Sequence, residues 1–290
     1  MSGRRRTQGR LPRCQGRVGR TFRLLVLVSA FAPTPSRATW SIVAVDPETR
    51  EVGGAVASCT AGADLVFGIA PGRGIAAAQA RSNFDGRDEL VRRLAAGDDA
   101  HAALAAVASS DFDPENLLSL GFGHRQYGVV SMAPTPRVEN FTGTAVLTWA
   151  GAERSETASA QGNILRGPAV VRDALAGYQA SSGCALAERL LRALEAGAAA
   201  GGDRRCAAEL TALSAALVVA KPGDASDAPS LALGASHPHA LWLSVRGLFE
   251  SAWPLAGASD ENPVRALRAR FDALDLGAAT CGGPIERSAP

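Results

Sequence analysis

Residues 36–58 read SRATWSIVAVDPETREVGGAVAS, and this stretch holds the first structural unit that the chain encodes. Residues 39–46 are apolar and rich in β-branched and aromatic side chains, which favours a strand. Residues 46–49, DPET, are a typical turn sequence. The small residues of 52–58 fit a closely packed return strand. The stretch therefore predicts a β-hairpin that begins at Thr39.

The segment before Thr39 has the order of a secretory signal peptide. A basic stretch and an apolar run at residues 24–32 precede SRA at 36–38, whose small residues occupy the cleavage-determining positions. A rival site ends at Ala32, but the proline that follows it makes a poor cleavage substrate. We predict a signal peptide at residues 1–38, cleaved directly before Thr39, and a mature protein that is periplasmic or secreted.

The charge balance changes once the leader is removed. The chain has 30 basic and 28 acidic residues, and residues 1–38 hold nine of the arginines and no acid. The predicted mature chain keeps 21 basic residues against 28 acidic ones, a net charge near −7. This balance argues against a nucleic-acid partner or an anionic membrane surface. The leader's apolar run is too short to span a bilayer, so we expect no integral membrane segment after cleavage.

Residue usage gives two further constraints. Arginine outnumbers lysine 29 to one, and together with the abundant alanine and glycine this is typical of a GC-rich bacterial genome. The predicted mature chain keeps four cysteines, at positions 59, 184, 206 and 281. In a secreted chain they favour one or two disulfides, with three full connectivities open. Zinc ligands and free buried cysteines are the alternatives, but no CxxC pattern supports zinc.

The order of predicted elements indicates the fold class. Strand patterns and helix patterns come in groups, β-β-β, α-α, β-β-β, α-α, β-β-β, α, rather than in single alternation. Groups of this kind fit two antiparallel sheets packed face to face with helix pairs outside, a four-layer αββα sandwich of the α+β class. We predict strands at 39–46, 52–58, 74–80, 126–132, 141–149, 159–164, 214–220, 231–234 and 241–246, and helices at 89–96, from 98 to before 111, 169–179, 185–200 and 263–274.

Several segments resemble one known family. The most specific are QGNIL at residues 161–165 and AGGDRR at 200–205, with further matches at 39–46, 56–58, 125–130, 142–143, 149–151, 187–197 and 262–264. On these residues the chain resembles the DUF1028 family, placed in the N-terminal nucleophile (Ntn) hydrolase superfamily. The resemblance runs over residues 39–275, leaves an irregular tail at 276–290, and implies the αββα sandwich. Cys59 and Cys206 stand beside matching motifs, as expected for a secreted branch that adds disulfides.

The chemistry that follows from cleavage centres on Thr39. An N-terminal threonine carries a hydroxyl nucleophile and its own base, because an α-amine with a pKa near 7.7–8.0 is partly neutral at neutral pH. The acylation intermediate needs hydrogen-bond donors for its oxyanion. Asn163 and Asn83 are our candidates. A turn asparagine at 163 and a loop or helix-start residue at 83 are the structural alternatives.

Other polar residues are candidates for the same site. Ser58 ends the second strand and can face Thr39 across the hairpin, or can bond a backbone group. The candidates for substrate binding are Gln79, Gln161, Asp203, Arg204 and Arg125. Each has a structural alternative: a buried amide that needs a partner for the two glutamines, an Asp203–Arg204 ion pair, and a structural role for Arg125.

These observations lead to two hypotheses of different class. The first is a secreted hydrolase of linear amide bonds, with a small-molecule or peptide amide as substrate and Thr39 as nucleophile. It requires no cofactor and no metal, and the two histidines that flank a proline at 237–239 are not a metal site without further ligands. The second is a catalytically silent Ntn-fold protein that binds a small ligand or a partner. A homo-oligomer is compatible with both.

Overall fold

The computed structural model of the chain describes residues 39–109, 111–113, 121–132, 134–237, 261–274 and 281. The predicted signal peptide, the predicted strand at 241–246 and the predicted tail at 276–290 lie outside the described residues, apart from Cys281. The described chain contains ten strands in two antiparallel sheets and five α-helices. None of these helices is long and apolar enough to cross a membrane.

A six-stranded antiparallel sheet carries the start of the described chain at its centre. Its strands stand in the order β10-β9-β2-β1-β8-β7. Their bounds are β1 Thr39–Val45, β2 Val52–Ser58, β7 Gly151–Arg154, β8 Ala158–Asn163, β9 Ser214–Ala220 and β10 Leu231–Ser236. The predicted hairpin is the β1–β2 pair, and its turn is fixed by Asp46, whose side chain accepts from the Glu48 backbone N–H (2.9 Å).

A four-stranded antiparallel sheet has the order β3-β4-β5-β6. Its strands are β3 Phe67–Ala70, β4 Gly74–Ala80, β5 Arg125–Ser131 and β6 Arg137–Thr142. The short strand β3 was not among the predicted elements. The predicted strand at 141–149 is wrong, because β6 ends at Thr142 and turns fill the chain up to β7. The strand ends there because Gly143 packs on the backbone of Gly123, so closely that a Cβ at 143 would lie 2.2 Å from the Gly123 carbonyl oxygen.

The helices fall into two groups that cover different sheets. Helices α1 Phe84–Ala96 and α2 Ala100–Val107 contact the four-stranded sheet. Helices α3 Ala169–Ala180, α4 Leu186–Ala199 and α5 Pro263–Asp272 contact the six-stranded sheet. Helix α1 begins five residues earlier than predicted, because Asn83 caps it by accepting from the Gly86 backbone N–H (3.0 Å).

Three apolar clusters connect these elements. One packs α3, α4 and α5 on the six-stranded sheet around Trp40 and Leu190. Another lies between the two sheets, around Val43 and Ile75. The third packs α1 and α2 on the four-stranded sheet around Leu90. Because side chains alternate along a strand, Trp40 and Ile42 face the helices while Thr39, Ser41 and Val43 face the other sheet.

Two disulfides join segments that are distant in the sequence. They are Cys59–Cys206 and Cys184–Cys281. The predicted disulfides are therefore present, and the structure selects one of the three connectivities. The first bond ties the residue after β2 to the loop after α4, at the same end of the six-stranded sheet where β1 begins.

Candidate active site

A row of polar residues crosses the six-stranded sheet at the end where β1 begins. Thr39 is the register partner of Ser58 on β2 and of Asn163 on β8, and Ser58 is in turn the partner of Ser214 on β9. Directly opposed residues on neighbouring strands hold their Cβ atoms about 5 Å apart on the same face. The register therefore places Thr39 between two polar side chains, facing the other sheet.

The Thr39 hydroxyl has a defined partner. Its Oγ1 donates to Ser58 Oγ (3.3 Å), and Ser58 Oγ shares a hydrogen bond with Thr60 Oγ1 (2.9 Å). Ser214 donates to the backbone carbonyl of Thr60. Thr39 is 2% exposed in the full-length chain. Its hydroxyl therefore belongs to a group of hydrogen-bonded hydroxyls on β1, β2 and the segment after β2.

Beside Thr39, a network of buried amides fills part of the space between the sheets. Gln79 Nε2 donates to Gln126 Oε1 (2.8 Å) and, at 3.4 Å, to the Thr39 carbonyl oxygen. Ser41 Oγ donates to Gln79 Oε1 and accepts from Gln161 Nε2, both at 2.7 Å. Gln79, Gln126 and Gln161 are fully or almost fully buried, and Gly128 on β5 leaves the room that the Gln161 amide occupies. The network satisfies groups that would be costly to bury alone.

The orientation of the Gln126 amide is fixed by its acceptors. Its Nε2 donates to the Gly162 carbonyl oxygen and to Thr142 Oγ1, each at 2.9 Å, and lies 3.3 Å from the Gly151 carbonyl oxygen. Its Oε1 must therefore accept, and it does so from Asn163 Nδ2 (3.2 Å). The Asn163 amide is fixed in turn. Its Oδ1 is completely buried and makes no hydrogen bond to a described residue.

Asp203 lies at the same end of the six-stranded sheet, next to the segments that follow β2 and β8. It bridges to Leu165 on the continuation of β8, and its Oδ2 accepts from the backbone N–H of Cys59 (2.9 Å), the residue after β2. Asp203 therefore lies between the segments that follow β2 and β8, the two strands that flank β1. Gly202 makes this placement possible, since its φ is +56° and a Cβ there would lie 2.9 Å from Trp40 and from the Thr211 carbonyl.

The predicted Asp203–Arg204 ion pair is wrong, because Asp203 pairs with Arg205 instead of Arg204. Arg205 binds the buried Asp203 carboxylate through its side chain, Nη2 to Oδ2 at 2.8 Å and Nε to Oδ1 at 3.1 Å. The Arg205 backbone N–H adds a third bond (3.0 Å). With Cys59, these donors occupy both carboxylate oxygens. Arg204 points the other way, to the Thr148 carbonyl oxygen at 3.4 Å, and is exposed.

Two further candidates lie in structural positions away from this row. Asn83 caps helix α1, the helix-start alternative of the sequence analysis. The Tyr127 hydroxyl lies beside the Asn83 amide, and burial raises the pKa of Tyr127 to about 12. Arg125 forms a buried, bidentate ion pair with Asp113 (2.7 and 2.9 Å) and also donates to the Arg81 carbonyl oxygen. The structure therefore brings together Thr39, Ser58, Asn163, Gln79 and Gln161, and holds Asn83 and Arg125 in local contacts of their own.

Sequence reasoning left out several members of the site, namely Ser41, Thr60, Gln126, Ser159 and Ser214. Gln126 faces between the sheets because it alternates with Arg125, which faces the helices. The alternation of side chains along β5 could have identified Gln126, but it shows which residues face the other sheet only once the register of β5 is known. Ser159 is placed by the same rule, and its hydroxyl donates to Gln161 Oε1 (2.7 Å).

The three clefts identified on the described part of the chain do not include the polar row. Three surface clefts of about 350, 500 and 560 Å³ lie beside β3, between α4 and α5, and beside β6 and β7, and Thr39 lines none of them. Among the described residues, no cluster of three histidine, cysteine or acidic side chains could hold a metal ion. The chemistry that the arrangement offers is that of hydroxyl and amide groups.

Comparison with known proteins gives a family and a fold. None of the curated proteins matches the chain. A crystal structure of a DUF1028 protein from Silicibacter pomeroyi is similar, with a TM-score of 0.61 and 23% sequence identity over 83% of this chain and 91% of that one. At that identity the likeness concerns the fold alone. A model described as "Family of unknown function (DUF1028)" matches residues 39–240. The chain therefore belongs to the DUF1028 family.

Proposed function

We propose that the chain, once cleaved before Thr39, is an Ntn-type hydrolase of linear amide bonds that works in the periplasm or outside the cell. The order of three apolar clusters, two of them between a sheet and helices and one between the sheets, supports the four-layer αββα sandwich of that superfamily. The substrate is a small-molecule or peptide amide. This function requires neither a metal nor a cofactor.

One observation carries the proposal: Thr39 stands between Ser58 and Asn163 in a polar row at one end of a central strand. The buried Asp203 lies near this row, where it bridges to Leu165 and accepts from the Cys59 N–H, and it supports the proposal as part of the same polar end of the sheet. Cleavage at the predicted site would place a free α-amine on the residue whose hydroxyl is already oriented by Ser58 at 3.3 Å.

The unpartnered oxygen of Asn163 gives that amine a partner. A buried acceptor without a donor costs free energy, and its presence needs an explanation. Asn163 is the cross-strand neighbour of Thr39, so an amine at residue 39 is within reach of Asn163 Oδ1. We assign this oxygen to orienting the amine, and the second N–H of Asn163 Nδ2 to the oxyanion. Gln126 holds both atoms in place.

The reaction then runs in two steps. As Thr39 Oγ1 bonds to the substrate carbonyl carbon, the neutral α-amine takes the hydroxyl proton, and the carbonyl oxygen becomes an oxyanion. The tetrahedral intermediate collapses, the C–N bond breaks, and the ammonium returns its proton to the departing amine. Water then attacks the Thr39 ester with the same amine as base, which releases the acid and restores the hydroxyl.

A catalytically silent protein with a ligand site is the second candidate. The observation that favours it is that the buried amides are hydrogen-bonded within the protein: Gln79 to Gln126 and Ser41, and Gln161 to Ser41 and Ser159. In that case the polar row specifies the packing of the two sheets, and Asn163 Oδ1 faces a bound molecule.

The test begins with the N-terminal sequence and intact mass of the protein recovered from its secretory route. A chain that starts at Thr39 should form a covalent adduct with a β-lactone probe, detected by mass on residue 39. We expect Thr39→Ala to abolish the adduct and Thr39→Ser to keep it. Thr49→Ala, in the exposed β1–β2 turn, is the matched control and should label like the wild type. A different start residue, or labelling that survives Thr39→Ala, would replace the hydrolase proposal with the silent one.

A further inference from the structure

The end of β8 carries a small surface that the amide chemistry does not use. We define it by three residues, Leu147, Ile164 and Arg204, and refer to it as the rim. Ile164 directly follows Asn163, its backbone N–H donates to the Leu147 carbonyl (3.2 Å), and its own carbonyl accepts from the Arg204 N–H (3.1 Å). Backbone hydrogen bonds therefore fix Leu147 and Arg204 to the residue next to Asn163.

The backbone of Ile164 makes this arrangement possible. Its φ is +51°, in the left-handed region, where a β-branched side chain is rare and costs conformational energy. In a regular strand the N–H and C=O of one residue point to the same neighbour. At Ile164 they reach two different segments, the loop that carries Leu147 and the segment that carries Arg204. Here the strained residue directly follows Asn163, a candidate site residue, and backbone strain is often found at functional sites.

The two outer members of the rim have unusual surroundings. Leu147 is 57% exposed, the largest value for a bulky apolar side chain among the described residues. The Arg204 guanidinium donates to the Thr148 carbonyl oxygen at 3.4 Å and has no acidic partner in the part of the chain that is described. Its neighbour Arg205 is fully engaged with Asp203. The rim thus carries an exposed apolar side chain and a cation without an acidic partner among the described residues, on two segments that are both hydrogen-bonded to Ile164.

We infer that the rim selects amides that carry a carboxylate and an apolar side chain next to the scissile bond, an inference that rests on the proposed function. A guanidinium binds a carboxylate through two parallel N–H donors, which neither a neutral group nor an amine can match. Leu147 would cover an aliphatic group and remove it from water. Because the predicted mature chain has a net charge near −7, a local cation would favour the approach of an anionic substrate.

Binding can be measured without any reaction by using a probe pair that cannot be hydrolysed. Isocaproate carries a carboxylate on a branched aliphatic chain, and isohexanol is its neutral counterpart. Calorimetric titration of the processed protein should show isocaproate bound about tenfold more tightly. Arg204→Gln should remove that preference and Arg204→Lys should restore part of it. Leu147→Ser should weaken both probes by a similar factor of about three to ten. Arg172→Gln, an exposed arginine paired with Asp173 on α3, is the control and should change neither.

Hydrolysis separates this inference from the function on which it rests. N-acetyl-leucyl-leucine should be cleaved faster than its C-terminal carboxamide by the wild type, and the two should be cleaved equally by Arg204→Gln. Equal binding of the two unreactive probes, or a preference that survives Arg204→Gln, would overturn the inference even if Thr39 proves to be a nucleophile. Arg204-dependent binding without any Thr39-dependent hydrolysis would instead keep the rim as a ligand site and refute the hydrolase.

Discussion

Replacement of Gln126 by glutamate tests the orientation of the whole amide network with an isosteric change. The Gln126 Oε1 accepts from two amides, so a carboxylate oxygen can take its place. The Gln126 Nε2 donates to the Gly162 carbonyl oxygen at 2.9 Å. In Gln126→Glu a second carboxylate oxygen would replace this nitrogen, and two acceptors would then face each other. The buried glutamate would therefore stay protonated in the folded state, and its folded-state pKa would lie above the value near 4.3 of the unfolded chain.

The direction and size of the effect follow from this raised pKa. Below pH 4 both states bind the proton, so Gln126→Glu should be close to the wild type. As pH rises above 4.3 the unfolded chain alone loses the proton, and stability should fall by about 1.4 kcal/mol per pH unit until the folded pKa is reached. If that pKa is 7 or higher, the loss at pH 7 is about 3.5 kcal/mol, or roughly 7–14 °C in Tm for a domain of this size.

The assay is urea unfolding under non-reducing conditions at a series of pH values from 4 to 8, with wild type and variant side by side. Gln179→Glu is the matched control, because that glutamine is exposed on α3 and its replacement should shift stability by the same small amount at each pH. A Gln126→Glu curve that stays parallel to the wild type across this range would show that Nε2 does not face the carbonyls, and the assignment of Asn163 Oδ1 as a free acceptor would fail with it.

Two predictions concern stability away from the nucleophile. Replacing Cys59 and Cys206 together by serine should cost up to about 5 kcal/mol in denaturant unfolding, since the bond closes a loop with a sequence separation of 147; an unchanged unfolding midpoint would contradict this. Burial alone would raise the pKa of Glu188, but hydrogen bonds from Arg268 and Arg192 outweigh it and lower that pKa. The wild type should therefore lose stability as pH falls below about 4.5. Arg268→Met should lower the free energy of unfolding by roughly 2 kcal/mol at pH 7 and by less at pH 3. A loss that is the same at both pH values would refute the ion-pair explanation.

Much of the architecture could be predicted because local patterns and long-range packing agree. The β1–β2 hairpin, helix α4 to within one residue of its predicted bounds and the grouping of strands and helices all follow from residue type and periodicity. The loop at 143–150 could not, because Val146, Leu147 and Trp149 resemble a strand in composition. The close contact of Gly143 with Gly123, which ends β6, depends on a partner 20 residues away in the chain.

The site was predictable in its types of residue and less so in its membership. Thr39, Ser58 and Asn163 lie close together because each stands at the end of its strand, and the three strands are neighbours whose ends meet at one edge of the sheet. Gln126 was passed over in favour of Arg125 because neighbouring residues on a strand point to opposite faces, and only the register decides which one faces the other sheet. Asn83 carries a sequence signal for a helix start as strong as that for a site, and the structure shows it as the cap of α1.

The predicted cleavage bears most directly on whether the candidate site can work. The leader pattern, read from residues 1–38 alone, predicts cleavage directly before Thr39. In the full-length chain Thr39 is buried. An uncleaved precursor would bury the hydroxyl and lack the amine, so we expect it to be inert toward the β-lactone probe until the leader is removed.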